Sequence, residues 1–296
     1  MTSELQDNSV QNLKTVVYAT DFSQWSMNAG LYAARIAEYF SAKLLVAHAF
    51  TVSQAAMEVE AGDRKISQQR IDLNSLLLRE VHRLETDFPG AVPVLMEGDP
   101  KFVIAQLADK NAPSIIVLGT HGGGRLQRGI IGSVAETILR STSWPALTVG
   151  PQVLVASSKT LPFKRILFTT DITPSAASAA AYVVELADVF GASIDVLNVV
   201  HDDDIESPEL LDGLRNRFLG ILDGLVPQHA RAFCDPKTFV ATGCAHDRII
   251  EHIRDNSIDL LILSIRKTSH LSLEMRTSGV FRIIVDVECP VLTIRR

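Results

Sequence analysis

The run Gly119-Thr120-His121-Gly122-Gly123-Gly124-Arg125 leads through Gly132-Ser133 into a segment with helical spacing. Glycine has no Cβ, so backbone N–H groups in such a run can turn together toward one anion. A helix starting after Ser133 adds unpaired N–H donors and the positive end of its dipole, which suits phosphate. Two familiar fingerprints are missing: no Gly-Lys-Ser/Thr occurs, and Gln127 stands where GxGxxG needs its last glycine. The same residues allow a plainer reading. Glycines after a strand are often turn residues, and Ser133 with Glu136 has the spacing of a capping box.

Other constellations are weaker. Asp21, after an apolar run, suits either a helix cap or an acceptor for ribose hydroxyls. His121 suits either a phosphate contact or a solvated loop position. His201-Asp202-Asp203-Asp204 has metal-ligating side chains but reads first as a polar loop. Cys234, Cys244, His246 and His229 match no standard zinc spacing. Cys289, before Pro290, reads as a small buried apolar residue. No GxSxG, HExxH or nucleophile–base pair argues for hydrolase chemistry, so no catalytic or metal-ligating residue is assigned.

The elements that must carry these residues come in two sets, because the chain repeats itself. TVVYATDFS (15–23) matches RILFTTDIT (165–173), and SAKLLVAHAF (41–50) matches GASIDVLNVV (191–200), at an offset of 150. Residues 98–120 match 243–265, and WPALTV (144–149) matches CPVLTI (289–294), at an offset of 145. Five residues are therefore lost between Val200 and Gly243. The reading is a first domain over 1–150, a linker over 151–163 and a second domain over 164–296.

Within the first copy, strands are expected at Thr15–Ala19, Lys43–Phe50, Ala91–Met96, Ser114–Gly119 and Ala146–Val149. Consecutive apolar positions, as in SIIVLG and DLLILS, suit parallel strands covered on both faces. Asp99 before Pro100, and Thr173 before Pro174, mark helix starts. A longer helix near Arg64–Asp87 lines up Ile66, Leu73, Leu77, Leu84 and Phe88, and its counterpart lines up Leu210, Leu211, Leu214, Phe218, Ile221, Leu222 and Leu225. Strand–helix alternation predicts an α/β fold: two tandem doubly wound, Rossmann-like domains, each with a five-stranded, mainly parallel sheet. In such sheets ligands bind at the carboxyl ends of the strands.

Composition sets the class. The chain has 296 residues, is 47% hydrophobic and 21% charged, and has a net charge of −6. That excludes a disordered chain and argues against a protein built to hold nucleic acid or an anionic membrane. Three cysteines without a CxxC pair suit a reducing compartment. A polar start and no long apolar run lead us to expect a cytoplasmic protein with neither signal peptide nor membrane span.

With these residues in view, the sequence resembles the universal stress protein family in its tandem two-domain form. Nucleotide-binding members of that family carry Gly, two residues, Gly, nine residues, then Gly-Ser/Thr. Gly119, Gly122 and Gly132-Ser133 follow that pattern. Ala19-Thr20-Asp21-Phe22-Ser23 is similar to the family's first strand end, and Trp144–Val149 to its closing strand. The family's fold is that of the adenine nucleotide alpha hydrolase-like group. The resemblance implies ATP, with or without Mg, as the ligand of the first domain. It carries ribose and adenine contacts to Ala19, Thr20, Asp21 and Ala49, and phosphate contacts to Leu118, Gly119, Gly122, Gly132, Ser133 and Val134. It implies a stress-response binding or signalling module and not an enzyme, with slow hydrolysis or self-phosphorylation at Ser133 as the alternative. A further rival is a nucleotide-independent scaffold for a small apolar ligand, a metal or a partner protein. The second copy departs from the pattern, with Ser264, Lys267 and Thr277 at the three glycine positions. It is expected to keep the fold without binding ATP. Family dimers pair through their last strands, which implies an intramolecular pseudo-dimer through 146–149 and 291–294 and leaves a homodimer of whole chains open.

Overall fold

The computed structural model describes residues 10–52, 62–86, 88–121, 131–157, 160–172, 174–201, 208–265 and 273–295. In the first half, β1 (Thr15–Ala19), α1 (Gln24–Phe40), β2 (Lys43–Phe50), α2 (Gly62–Glu85), β3 (Val92–Glu97), α3 (Pro100–Lys110), β4 (Ser114–Gly119), α4 (Ser133–Ser141) and β5 (Ala146–Val149) alternate. The second half repeats the order in β6 (Arg165–Thr169), α5 (Pro174–Phe190), β7 (Ser193–Val200), α6 (Pro208–Leu225), a short α7 (Arg231–Cys234), β8 (Lys237–Thr242), α8 (Ala245–Asp255), β9 (Leu260–Ile265), α9 (Leu273–Asp286) and β10 (Val291–Arg295). The five-residue loss falls between β7 and β8, where α6 has 18 residues against the 24 of α2.

All ten strands form one sheet in the order β3-β2-β1-β4-β5-β10-β9-β6-β7-β8. Within each half the neighbours are parallel. The halves meet where β5 runs antiparallel to β10, with Leu147 opposite Leu292. The carboxyl ends of the two sets of strands therefore lie on opposite edges of the sheet.

Period-two alternation assigns the strand side chains to two cores. Val16, Tyr18, Leu44 and Val46 pack under α1 and α2, and Ile194 and Val196 extend that layer beneath α5 and α6. Val17, Leu45, Ile116 and Leu118 pack under α3 and α4, continuing to α8 and α9. Each fully buried aliphatic side chain contributes about 1.5–3 kcal/mol relative to exposure. On α2 the expected stripe is deepest at Leu77 and Leu84. On α6 Leu222 is buried, whereas Ile221, expected on the same stripe, is exposed. Adjacent helical positions differ by about 100° around the axis, so the two cannot share one narrow buried face. Asp99 caps α3 as expected, its carboxylate accepting from Lys101 N–H with Pro100 at the first helical position. Thr173 lies outside the described residues.

A polar network fixes the start of α1 against the sheet. The Tyr18 hydroxyl donates toward Ser26 O at 2.8 Å and Glu80 Oε1 at 2.9 Å. Arg83 donates to both Glu80 carboxylate oxygens and to Met27 O. Burial and the neighbouring Glu80 push the Tyr18 phenol well above its ordinary range. Gly30 lies over the Tyr18 ring, where a Cβ would come within 2.7 Å. The second half has Phe168 in place of Tyr18, so this network belongs to one half alone. Among the described residues, no helix is long and apolar enough to cross a membrane.

Candidate functional site

From β1 the chain passes to β2 on one side, and from β4 to β5 on the other. A crevice therefore opens beyond the carboxyl ends of β1 and β4, the place where such sheets bind ligands. The register puts Ala19 beside both Leu118 and Ala47. Ala19, Thr20, Ala49, Leu118 and Gly119 thus share one edge. Gly122 lies outside the described residues, as do residues 123–130.

The strand end is tied down by short bonds. Thr20 N–H donates to Ala47 O at 2.9 Å. The buried Thr20 hydroxyl pairs with Ser26 Oγ at 3.1 Å and accepts from Phe22 N–H at 3.0 Å. His48 Nδ1–H donates to Thr20 O at 2.7 Å, and its ring lies 4.4 Å from that of Phe22. Burial lowers the His48 pKa, against the opposing influence of that bond and of Asp21. Neither His48 nor Phe22 is among the site residues expected from sequence, although both lie in the strand-end segments. Asn198 takes the place of His48 in the second half and makes the same bond to Thr170 O at 2.8 Å.

Asp21 is exposed, and its Oδ1 accepts from Ser23 N–H at 3.0 Å. It is not the helix cap. Ser23 caps α1, accepting from Ser26 N–H. Ala49 presents backbone groups to the crevice by alternation. Ala47 O bonds toward β1 through Thr20, and Phe50 O bonds toward β3 through Gly98. The N–H and C=O of Ala49 therefore point toward the β1 side, where β1 has already ended.

The capping box is not formed. Gly132 is the cap of α4 and Ser133 its first residue, with no side chain bonded to the cap. Gly132 N–H donates to Thr120 O at 2.7 Å, which fixes how the chain enters the helix. Glu136 pairs instead with Arg140 at 2.9 Å. The first-turn N–H groups of a helix have no partner within it. Here Ser133 is exposed and Val134 half-buried at that turn. Nor is His121 a solvated loop residue. It is buried, it bonds Thr120 Oγ1 through Nδ1 at 2.9 Å, and burial lowers its pKa.

Gly119 has a packing reason of its own. A Cβ there would meet Trp25 C and Ser26 N at 3.1 Å. The glycine lets the start of α1 rest directly on the end of β4. Sequence reasoning gave it to phosphate because close helix packing leaves no local signal.

The second half differs at the positions equivalent to Gly119, Gly122 and Gly132-Ser133. Ser264 lies one residue before β9 ends at Ile265, Lys267 lies outside the described residues, and α9 begins at Leu273. Thr277 and Ser278 are therefore inside a helix, not at its first turn. Asp202, Asp203 and Asp204 lie outside the described residues. Among the described residues no three His, Cys, Asp or Glu side chains are grouped to hold a metal ion. Cys234 and Cys289 are buried and Cys244 is exposed, all as free thiols.

Comparison with known proteins agrees with this architecture. A family model described as the universal stress protein family matches residues 12–150 and again 162–295. A universal stress protein of Methanocaldococcus jannaschii is 29% identical over 138 residues, covering 46% of this chain and 81% of that protein. A Thermus aquaticus universal stress protein is 27% identical over 136 residues, covering 46% and 98%. The crystal structure of a universal stress protein from Archaeoglobus fulgidus superposes with a TM-score of 0.65 over 95% of this chain and 96% of that one, at 15% identity, a likeness of fold. The chain belongs to the universal stress protein family, and it carries the family's unit twice.

Proposed function

We propose that the first half binds an adenine nucleotide, ATP, in the crevice beyond β1, β2 and β4, and that the protein works as a binding or signalling module. The observation that carries this reading is the start of α4. Its cap is a glycine, no side chain occupies the cap, and Ser133 at its first turn is exposed on the same edge as Ala19–Asp21. Helix N-termini of this kind favour phosphate. The backbone of Ala49, directed beyond the end of β1, suits the donor and acceptor edge of a purine. Asp21 offers a carboxylate to ribose hydroxyls. In this reading the N–H groups of Ser133 and Val134 meet the phosphates, Gly132 caps their helix, the family resemblance adds Gly122, and Gly119 and Leu118 shape the floor. Mg²⁺ enters bound to the triphosphate. The second half keeps the fold and serves as a structural partner through β10, because its helix begins five residues earlier relative to the repeat.

The chain is proposed not to be an enzyme, since the described site offers no positioned base to activate water. Occupancy acts by favouring one conformation or partner over another. We read the paired halves as a pseudo-dimer acting in the cytoplasm, without nucleic acid or membrane as partner. The test is to denature the purified chain and identify the released small molecule. An adenine nucleotide, with a rise in unfolding midpoint on adding Mg-ATP to the emptied protein, supports the reading. No nucleotide and no rise would favour the scaffold.

A further inference from the structure

At the outer edge of the sheet in the second half, where β8 is the last strand, the repeat has exchanged apolar side chains for polar ones. Leu45 on β2 corresponds to Asp195 on β7, and Leu107 on α3 to His252 on α8. The two leucines belong to one apolar layer in the first half. In the second half His252 Nε2–H donates to Asp195 Oδ2 at 2.8 Å, with side chains only 10% and 5% exposed. Burying such a pair in place of packed apolar groups gains little or no stability, so stability alone does not account for it.

His252 lines an open pocket of about 360 Å³ between α6, β8 and α8. Pockets that hold small molecules span about 300–1,000 Å³. Asp195 fixes the imidazole through Nε2, and Nδ1 has no bonding partner among the described residues. The Phe239 ring meets the imidazole edge to face at 4.6 Å and forms an apolar wall together with Leu219.

The pocket also holds an uncommitted cation. In the first half Arg70 on α2 is tied to Glu97 at the end of β3, at 2.6 Å. The offset of 145 places Arg215 and Thr242 at those positions, and the buried pairs Leu77 with Leu222 and Val81 with Val226 keep the same register. Thr242 offers no carboxylate, and Arg215 has no ion-pair or hydrogen-bond partner among the described residues. Arg248, by contrast, is engaged, donating to Thr242 O at 2.8 Å and to Glu251 at 2.6 Å. The Asn256 amide donates to His252 O. Asp255 is an opposing charge, but it is exposed and screened by solvent. What remains for a ligand is one guanidinium, one imidazole and an aromatic wall. A carboxylate matches the paired N–H groups of a guanidinium, and a guest ring packs on Phe239 in a favoured geometry.

We propose that this pocket of the second half binds a small aromatic carboxylate, with its acid group on Arg215 and its ring against Phe239 and His252. The site lies on the opposite edge strand from β3 and does not depend on the nucleotide reading.

4-Fluorobenzoate is the probe, titrated into the full chain and followed by fluorine NMR of the ligand and proton–nitrogen NMR of the protein. The expected result is saturable binding of one molecule per chain, with shifts centred on Phe239 and His252. Arg215→Gln, at an exposed position that leaves the fold intact, should weaken binding at least about tenfold, and the uncharged 4-fluorobenzamide should bind at least about tenfold more weakly than the acid. Asp195→Leu with His252→Leu, which installs the pair of the first half, should also weaken binding. Linear, unsaturable shifts, full affinity in Arg215→Gln, equal binding of the amide, or unchanged affinity in the double-leucine variant would each overturn the proposal. If the double-leucine variant does not fold, Arg215→Gln and the amide decide.

Discussion

Gly119→Ala separates two roles that one glycine can play. The added Cβ would lie 3.1 Å from Trp25 C and Ser26 N and 3.2 Å from Ser26 Cα, where ordinary contact begins near 3.4 Å. All three are backbone atoms, so no side chain can swing away. The start of α1 must retreat by a few tenths of an ångström, which also loosens the Thr20–Ser26 hydroxyl pair. Overpacking of this kind costs about 1–3 kcal/mol, and the lower entropy of the unfolded alanine chain offsets about 0.4–1 of it. The net loss of about 1–2 kcal/mol should lower the unfolding midpoint of the first half by roughly 2–8 °C. Affinity for a fluorescent ATP analogue should fall by less than about tenfold, because the proposed phosphate donors, the first-turn N–H groups of Ser133 and Val134, are untouched. Calorimetry and fluorescence titration of the same sample read both quantities. A midpoint within about 1 °C of wild type, combined with a greater than tenfold loss of affinity, would refute the packing role and return Gly119 to the phosphate cradle.

Glu80→Leu removes the carboxylate that both Tyr18 and Arg83 use, and should cost about 2–3 kcal/mol in urea unfolding, below the full buried-pair penalty because Arg83 retains some solvent contact. Adding Arg83→Met should restore part of that loss, and no restoration would argue against a coupled pair. Burial holds the His48 and His121 imidazoles below their ordinary range, so the unfolded chain takes up protons first. Their contribution to stability is intact above about pH 6.5 and is lost as pH falls toward the folded values. His48→Asn, which copies Asn198 and keeps a donor for Thr20 O, should flatten the fall in unfolding midpoint between about pH 7 and 5, and an unchanged slope would rule His48 out as its source. Ser133→Asp places a carboxylate at the first turn of α4. It should stabilise the helix by about 0.3–1 kcal/mol while lowering ATP affinity at least about tenfold by repulsion.

Much of this architecture was legible in the residues, for physical reasons. β1, β2, β4 and β5 begin and end at the expected residues, because strands covered on both faces read as nearly continuous apolar runs, with His48 and Thr148 as the polar positions inside them. Asp99-Pro100 marked its helix start through purely local bonds. Non-local causes were harder to read. Ser133 and Glu136 have capping-box spacing, yet the bond from Gly132 N–H to Thr120 O sets the entry one residue earlier. Gly119 answers to a helix that precedes it by some ninety residues. The Tyr18–Glu80–Arg83 network joins elements whose adjacency no periodicity announces.

The central claim is that one half binds nucleotide through the start of α4 and the other does not. Equilibrium dialysis of the full chain against labelled ATP tests it most directly, with Ser133→Asp and Ser278→Asp run beside the wild type. We expect one ATP per chain, lost in Ser133→Asp and kept in Ser278→Asp. Two per chain, none, or a single site that survives Ser133→Asp would contradict it.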